Sequence, residues 1–166
     1  SLAELIWAAD RSYMLDDLDA DTPAQIRMSE MNQGALPMSH GLTRLQAHFY
    51  GDDEALKAAL EAGLESGIEP EDAEDLELVT FVRDEIDYPD EVRLLVEERV
   101  AMSPDALTGM EASLRFPGPE TMESRIFARL SAWQNWIFIR PNATGEMGAL
   151  TNYGKPTQPE FDYRRC

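Results

Sequence analysis

The sequence predicts an α/β fold that is mostly helical and contains a few short strands. Its apolar residues recur at three- or four-residue steps over long stretches, most clearly over residues 120–139, and this spacing is typical of helices. Shorter stretches rich in Val, Thr and Phe, such as residues 76–82, favour strands. With 166 residues, of which 43% are hydrophobic, the chain is large enough for one domain with a buried core.

The first fifty residues are predicted to alternate helix and strand around two loops. The acidic loop over residues 16–23 lacks the ligand spacing, central glycine and closing glutamate of an EF-hand, so we expect a solvated turn and not a calcium site. The second loop is punctuated by Gly34, Pro37 and Gly41. The predicted elements are a helix over residues 2–9, strands over 11–15 and 25–29, and a helix over 42–50.

The rest of the chain is predicted to be largely helical. Asp52 is the expected N-cap of a helix that stops near Gly63, and Ser103 followed by Pro104 marks the start of another. A Pro-Gly-Pro break at residues 117–119 separates that helix from the longest one. The predicted elements are helices over 52–61, 90–102, 104–116 and 120–139, a helical turn over 70–75 and a strand over 76–82.

The later half of the longest helix is apolar almost all round, because it carries Trp133, Trp136 and Phe138. Such a helix is buried, either in its own core or against another subunit or domain. Residues 141–166 are interpreted as a tail that wraps in an ordered way over a neighbouring surface, with disorder as the alternative. Its expected anchors are Leu150, Tyr153 and Phe161.

The chain is strongly acidic, because 32 Asp and Glu residues against 14 Lys and Arg give a formal net charge of −18. A surface of this charge repels a phosphate backbone, which argues against nucleic-acid binding. An anionic ligand would need local arginines or a basic patch elsewhere in the protein. The excess of acid is consistent with a high-salt source or with simple solubility.

The sequence shows no run of 18 apolar residues and no signal peptide, so we predict neither a membrane span nor secretion. The one cysteine, Cys166, cannot form an intrachain disulfide, which fits a cytoplasmic protein. No group of His, Cys, Asp and Glu has metal-ligand spacing, so no metal site is predicted.

Two glutamates, Glu4 and Glu30, are the candidate catalytic residues. Glu4 lies in the apolar first helix, where burying a carboxylate is costly unless it is paired. Glu30 lies where the second predicted strand gives way to the glycine-punctuated loop. Two carboxylates in different environments are the usual equipment for paired general acid–base chemistry. The alternative is that Glu4 is a first-turn acid favoured by the helix dipole and Glu30 an ordinary turn residue.

The spacing around these two acids resembles that of a known family. Residues 3–13 read A-E-L-x-x-A-A-D-R-S-Y, and residues 29–45 read S-E-x-x-x-G-x-x-P-x-x-x-G-x-T-R-L. Both patterns are similar to the acid-bearing motifs of the crotonase (enoyl-CoA hydratase/isomerase) superfamily, with Glu4 and Glu30 at the two acid positions. Within that superfamily, nearly the whole chain resembles the ring-cleaving lyases of aerobic benzoyl-CoA degradation, and the segment over residues 103–150 is a long and specific part of that resemblance.

The resemblance implies a crotonase-like (ClpP/crotonase) fold of which this chain is the C-terminal, mostly helical part. Residues 1–140 would belong to that domain, with an active-site segment at 1–50 and a helical region at 51–140, followed by the tail at 141–166. The expected partners are an acyl-CoA thioester substrate, the N-terminal remainder of the same protein and further copies in a homo-oligomer. The chain alone is then expected to be inactive.

The implied activity is cleavage of the ring of an oxygenated benzoyl-CoA, a dihydrodiol or an epoxide, with release of formate. Glu4 and Glu30 would activate water and relay protons, and the backbone N–H of Ser1 would help to hold the thioester oxyanion. His40 could contact the oxygenated ring, or it could be a loop histidine bonded to backbone. No metal or redox cofactor is implied, because the thioester itself serves as the electron sink and coenzyme A is part of the substrate.

Two rival functions stay open at this point. An ordinary enoyl-CoA hydratase would use the same two acids to add water across a double bond. A non-catalytic helical interaction module would carry Glu4 and Glu30 as structural residues only, and solvent exposure of both carboxylates would favour it.

Overall fold

The computed structural model describes residues 2–165, so Ser1 and Cys166 lie outside the described residues. The chain divides into two compact units, Ser1–Arg93 and Leu94–Cys166. About half of the chain is helical and a small sheet pairs two strands, which confirms the predicted α/β class in this coarse sense.

The first unit alternates short helices with two strands. It starts with a 3-10 helix, Leu2–Ala8, where the sequence predicts a helix over residues 2–9. The helical turn predicted over residues 70–75 is present with those bounds, and the other helices predicted in this part of the chain are present with shifted ends. In chain order, the remaining elements are β1 (Tyr13–Asp16), a 3-10 turn (Glu30–Gln33), α1 (Arg44–His48), α2 (Asp53–Glu65), α3 (Pro70–Asp75), β2 (Phe81–Asp84) and α4 (Asp87–Val100), which continues into the second unit.

Strands β1 and β2 pair in parallel, with Tyr13 opposite Phe81 and their ring centroids 5.1 Å apart. Just before the strands, the Ser12 N–H donates to Thr80 Oγ1 at 3.0 Å, and the Thr80 N–H donates to Ser12 Oγ at 3.1 Å. Parallel strands need a long crossover connection. Here that connection contains the 3-10 turn and helices α1 to α3.

The prediction of a strand over residues 25–29 is wrong. Ile26 forms an isolated antiparallel bridge with Ile68, and the two residues exchange both backbone hydrogen bonds at 2.9 Å. The Met28 N–H donates to the carbonyl of Gly63, also at 2.9 Å. These partners lie near the end of α2 and in the turn after it, so this segment has no continuous strand to pair with.

The strand predicted over residues 76–82 begins later, in β2. Leu78 and Val79 are buried instead in the turn after α3, where their N–H groups donate to the carbonyl of Ala73 at 2.8 and 3.3 Å. Their apolar character therefore reflects burial in the core and not pairing in a sheet. Strand β1 likewise begins two residues after the start of the strand predicted over residues 11–15.

The core of the first unit is formed by apolar side chains from most of its elements. Helix α2 begins as predicted, with the Asp52 side chain accepting the Ala55 N–H at 2.9 Å. Gly63 lies inside α2 and does not end it; a Cβ there would meet the Met28 side chain at 2.5 Å, so glycine allows a close approach. The larger buried side chains are Trp7, Met14, Ile26, Met28, Leu45, Phe49, Ile68, Leu78 and Val79.

The second unit is helical. Helix α5 (Pro104–Leu114) begins at Pro104, as predicted. The predicted longest helix is present as a run over residues 122–138, in which a π-helical segment (Arg125–Leu130) separates α6 (Met122–Ser124) from α7 (Ser131–Phe138). The tail contains α8 (Pro141–Thr144) and a 3-10 turn (Tyr163–Arg165).

Helix α5 packs against α7 with little room between them. A Cβ at Gly109 would lie 2.9 Å from Ile137 Cδ1. Trp133 and Trp136 meet edge to face with ring centroids 5.3 Å apart, but both residues are only half-buried and Phe127 is 71% exposed. The long helix is therefore not buried within its own unit, and burial against another subunit or domain stays a prediction.

The tail is held by asparagines and not by the apolar anchors that the sequence suggests. Leu150 and Tyr153 are exposed and Phe161 is half-buried. Asn142 is buried and its Oδ1 accepts a backbone N–H at 2.9 Å. Asn152 is also buried, and its Nδ2 donates to two tail carbonyls at 2.9 and 3.0 Å. Hydrogen bonds of two buried asparagine side chains therefore hold this segment in place.

Candidate active site

Glu4 is a buried carboxylate, only 6% exposed. It lies in the 3-10 helix Leu2–Ala8, which has about three residues per turn, so Glu4 and Trp7 share one face of the helix. Both residues are buried, and the helix packs against α1. Within residues 2–165, the buried Trp7 Nε1 has no hydrogen-bond acceptor. The first helix thus carries two polar groups into the core.

The two oxygens of Glu4 have different surroundings. Asn32 Nδ2 donates a hydrogen bond to Oε1 at 2.6 Å. Arg44 Nη1 lies 3.9 Å from Oε2, which is too long for a hydrogen bond, and the Arg44 side chain is 37% exposed, so solvent screens this ion pair. No group within residues 2–165 donates a hydrogen bond to Oε2. The two oxygens therefore differ: among these residues, Oε1 is hydrogen-bonded and Oε2 is not.

Asn32 reaches Glu4 because the 3-10 turn Glu30–Gln33 carries it inward. Its side chain is almost fully buried, at 2% exposed. The Ser29 N–H donates to Asn32 Oδ1 at 3.0 Å. A backbone N–H can only donate, so the atom that accepts it is the amide oxygen and the NH₂ group is the one beside Glu4.

Arg44 is positioned by the glycine-punctuated loop that precedes α1. Gly41 has a φ of 93°, a conformation that residues with a side chain rarely adopt. It lies in a tight turn, in which its N–H donates to the carbonyl of Met38 at 2.9 Å. Thr43 then caps α1: its Oγ1 accepts the Gln46 N–H at 3.1 Å, and its own N–H donates to Gln46 Oε1 at 2.8 Å. This capping box fixes the start of the helix, where Arg44 is the first residue.

The predicted site residues lie in different settings. Glu4 is buried, whereas Glu30 is exposed at the start of the turn that carries Asn32 inward. His40 is exposed in the loop before α1, and Ser1 lies outside the described residues. The structure brings Asn32 and Arg44 to Glu4, and the acid–base pairing of Glu4 with Glu30 stays a prediction.

Asn32 is the residue of this site that the sequence pattern does not single out. Its contact with Glu4 spans 28 positions, so no local pattern signals it. The spacing of Ser29 and Asn32, three residues apart at the start of a helical turn, is the available clue, because it is typical of a capping arrangement. Arg44 does belong to the family pattern, but without an assigned role.

Other parts of the chain offer fewer groups for chemistry. Among the described residues, no three His, Cys, Asp or Glu side chains are placed to hold a metal ion. His48 Nε2 lies 2.6 Å from the carbonyl oxygen of Glu77, and because that oxygen can only accept, the contact has the character of a structural hydrogen bond.

Across residues 2–165, every helix is too short or too polar to cross a bilayer.

A surface pocket of about 500 Å³ lies in the tail of the second unit. Two of its charged side chains pair with each other: Arg164 Nε donates to Asp162 Oδ1 at 3.0 Å. The lining residues are Met147, Glu160, Phe161, Asp162, Tyr163 and Arg164.

Comparison with known proteins gives a long match to a bacterial enzyme. No protein-family model matches the chain. Over 165 residues, or 99% of its length, the chain is 52% identical to benzoyl-CoA-dihydrodiol lyase from Aromatoleum evansii. The chain spans 29% of the length of that relative. The match confirms the resemblance over nearly the whole chain, including the segments that carry Glu4, Asn32 and Arg44.

Proposed function

We propose that this chain is part of a carbon–carbon lyase that opens the ring of an oxygenated benzoyl-CoA. The observation that carries the proposal is the identity to benzoyl-CoA-dihydrodiol lyase, which runs along nearly the whole chain. The buried carboxylate of Glu4, hydrogen-bonded through one oxygen only among residues 2–165, supports a catalytic role for this part of the protein. Structural networks also bury carboxylates, so the assignment to chemistry rests on the two observations together.

In the proposed reaction, Glu4 and Glu30 divide the proton transfers between them. One carboxylate is buried and the other is open to solvent, and such a difference in environment is the usual basis for separate acid and base roles. Glu30 activates a water molecule and Glu4 relays protons at the reacting carbon. Backbone N–H groups, including that of Ser1, hold the enolate oxygen of the thioester, and His40 contacts the oxygenated ring. One water molecule is consumed with the dihydrodiol and two with the epoxide: both ring bonds of one oxygenated carbon are cleaved, that carbon leaves as formate, and the other oxygenated carbon becomes an aldehyde.

The thioester makes its neighbouring carbon an electron sink, so the proposed chemistry proceeds without a metal or a redox cofactor. Coenzyme A is part of the substrate. With a net charge of −18, the chain as a whole repels that anion, so local arginines such as Arg44 or other parts of the protein must receive it.

The proposed fold is crotonase-like, with further segments of the same polypeptide, upstream of this chain, completing the site. The partial coverage of the relative supports this arrangement. The exposed apolar side chains on the helical run over residues 122–138, including Phe127 and Leu130, support packing against another domain or a second copy. A cytoplasmic location belongs to the same proposal.

The proposal is tested with the full-length protein and three coenzyme A esters. Benzoyl-CoA dihydrodiol and benzoyl-CoA epoxide are offered as ring substrates, and crotonyl-CoA as a hydratase substrate. We expect formate and a ring-opened thioester, measured by mass spectrometry, from one of the ring substrates. Hydration of crotonyl-CoA without ring opening would instead identify an ordinary enoyl-CoA hydratase.

The third candidate, a non-catalytic interaction module, is judged by the same assay. Turnover of none of the three esters by a folded protein would favour it. Solvent exposure of both glutamates would favour an interaction module. Only Glu30 is exposed, so the burial of Glu4 favours the catalytic candidates.

A further inference from the structure

We propose that Asn32 is the positioning residue of Glu4, holding its carboxylate so that Oε2 is the oxygen that exchanges the proton. This inference rests on the proposed function, because it assigns a role within the same site. It concerns a residue that the family pattern leaves unassigned.

The Asn32 amide can serve Glu4 in only one orientation. Its oxygen accepts the Ser29 N–H at 3.0 Å, and its NH₂ group donates to Glu4 Oε1 at 2.6 Å. Turning the amide by half a revolution would set NH₂ against an N–H and oxygen against a carboxylate, which loses both hydrogen bonds. With 2% of the residue exposed, little water is at hand to replace them. The backbone of the 3-10 turn therefore dictates the direction of the donor.

The Asn32 NH₂ group fixes Oε1 of the Glu4 carboxylate and leaves Oε2 without a hydrogen bond from the described part of the chain. Once Oε1 is bound by Asn32, the plane of the Glu4 carboxylate has little freedom to rotate. Oε2 is buried and receives no hydrogen bond from any group within residues 2–165, while Arg44 Nη1 remains 3.9 Å away. A buried acceptor without a donor is costly for stability, and such costs are typical of functional sites. Oε2 is thus the oxygen that retains its lone pairs for the reaction.

An amide suits this role better than a charged donor. It supplies a hydrogen bond to the Glu4 carboxylate without forming a close ion pair. Arg44 supplies positive charge from a greater distance, and its partly exposed side chain is screened. The orientation of the Glu4 carboxylate therefore comes from Asn32, and the nearby positive charge comes from Arg44.

The test is a double-mutant cycle in the full-length protein, with ring opening as the assay. Asn32→Ala should lower kcat about 10–100-fold and change KM by less than about twofold, because a charged hydrogen bond that orients a reacting group is lost. In a Glu4→Gln background, the same Asn32→Ala change should alter kcat less than about twofold, since no carboxylate remains to be oriented. Gln33→Ala, an exposed neighbour in the same turn, is the matched control and should leave kcat unchanged.

A second variant guards against a folding defect. Asn32→Asp keeps an oxygen for the Ser29 N–H and nearly the same shape, but it sets a second carboxyl group against Glu4 Oε1, and two carboxyl groups this close share one proton. It should lose at least as much turnover as Asn32→Ala, with the turn intact. Equal losses from Asn32→Ala in both backgrounds, or full turnover of either Asn32 variant, overturn the inference. If Glu4→Gln itself retains wild-type turnover, the acid–base role of Glu4 fails as well, whereas ring opening by the unmodified protein is judged separately.

Discussion

Asp105 Oδ1 accepts a hydrogen bond from Arg140 Nε at 2.7 Å. Asp105 is 1% exposed, and the guanidinium carbon of Arg140 lies 4.1 Å from the centroid of the Trp136 ring. One arginine thus joins the first turn of α5 to the end of α7, through an ion pair on one side and an aromatic face on the other.

Arg140→Ala should lower the free energy of unfolding by about 3–5 kcal/mol, because it removes the cation from a deeply buried carboxylate. Urea unfolding followed by tryptophan fluorescence measures the change. Lys57→Ala is the matched control, since Lys57 forms an exposed ion pair with Glu61 at 3.7 Å. Its substitution should lower the free energy of unfolding by at most about 0.5 kcal/mol. A loss in Arg140→Ala no larger than that of the control contradicts the prediction.

Glu4→Gln should lower the turnover of the full-length protein by about 10²–10⁴, which is the usual contribution of a positioned proton-transfer group. The amide keeps an oxygen for the hydrogen bond from Asn32, so the fold should be preserved. Steady-state ring opening gives the measurement. Glu61→Gln, at an exposed helix position, should be indistinguishable from wild type.

Glu30→Gln tests the second acid independently of the first. If Glu30 activates water, turnover should fall by about 10²–10⁴ while the thermal midpoint stays near that of wild type, since the side chain is exposed. Unchanged turnover would remove Glu30 from the mechanism and leave Glu4 as a single acid.

Trp133→Ala should lower the free energy of unfolding by about 1–3 kcal/mol, less than the 3–5 kcal/mol of a fully buried aromatic residue. The ring is half-buried and gains an edge-to-face contact with Trp136. Denaturant titration of the chain checks the value. A loss below about 0.5 kcal/mol would mean that the ring contributes no more than a surface residue.

Gly41→Ala should destabilise the chain by about 1–3 kcal/mol through backbone strain alone. The φ of 93° disfavours any side chain, whereas the space around a Cβ at this position is open, so no steric clash adds to the cost. Ser39→Ala, an exposed change in the same loop, should have almost no effect. A thermal midpoint for Gly41→Ala equal to that of Ser39→Ala would show that the loop adapts freely.

Local chemistry in the sequence predicts the helices well and the strands poorly. Asp52 and Pro104 mark helix starts because a cap or a fixed φ acts within one turn. Residues 25–29 have the composition of a strand but find only the end of a helix and a turn as partners. The partner of an extended segment is set by the tertiary fold, which a local pattern does not contain.

The sequence likewise predicts one residue of the candidate site and misses another. Glu4 is singled out by its apolar neighbours and by the family pattern. Asn32 is not, because its significance comes from a contact across 28 positions. The direction of its amide depends in turn on the Ser29 N–H, a backbone group that every non-proline residue offers. Only the folded chain reveals such a contact.

The parallel pairing of β1 with β2 has a consequence for how the chain folds. Ser12 and Thr80 meet across 68 positions, so closing this loop costs chain entropy before any contact repays it. Contacts of such high sequence separation slow folding and form late. Asn32 and Arg44 lie within the closed loop, so joining the strands also restricts the conformations open to these two residues.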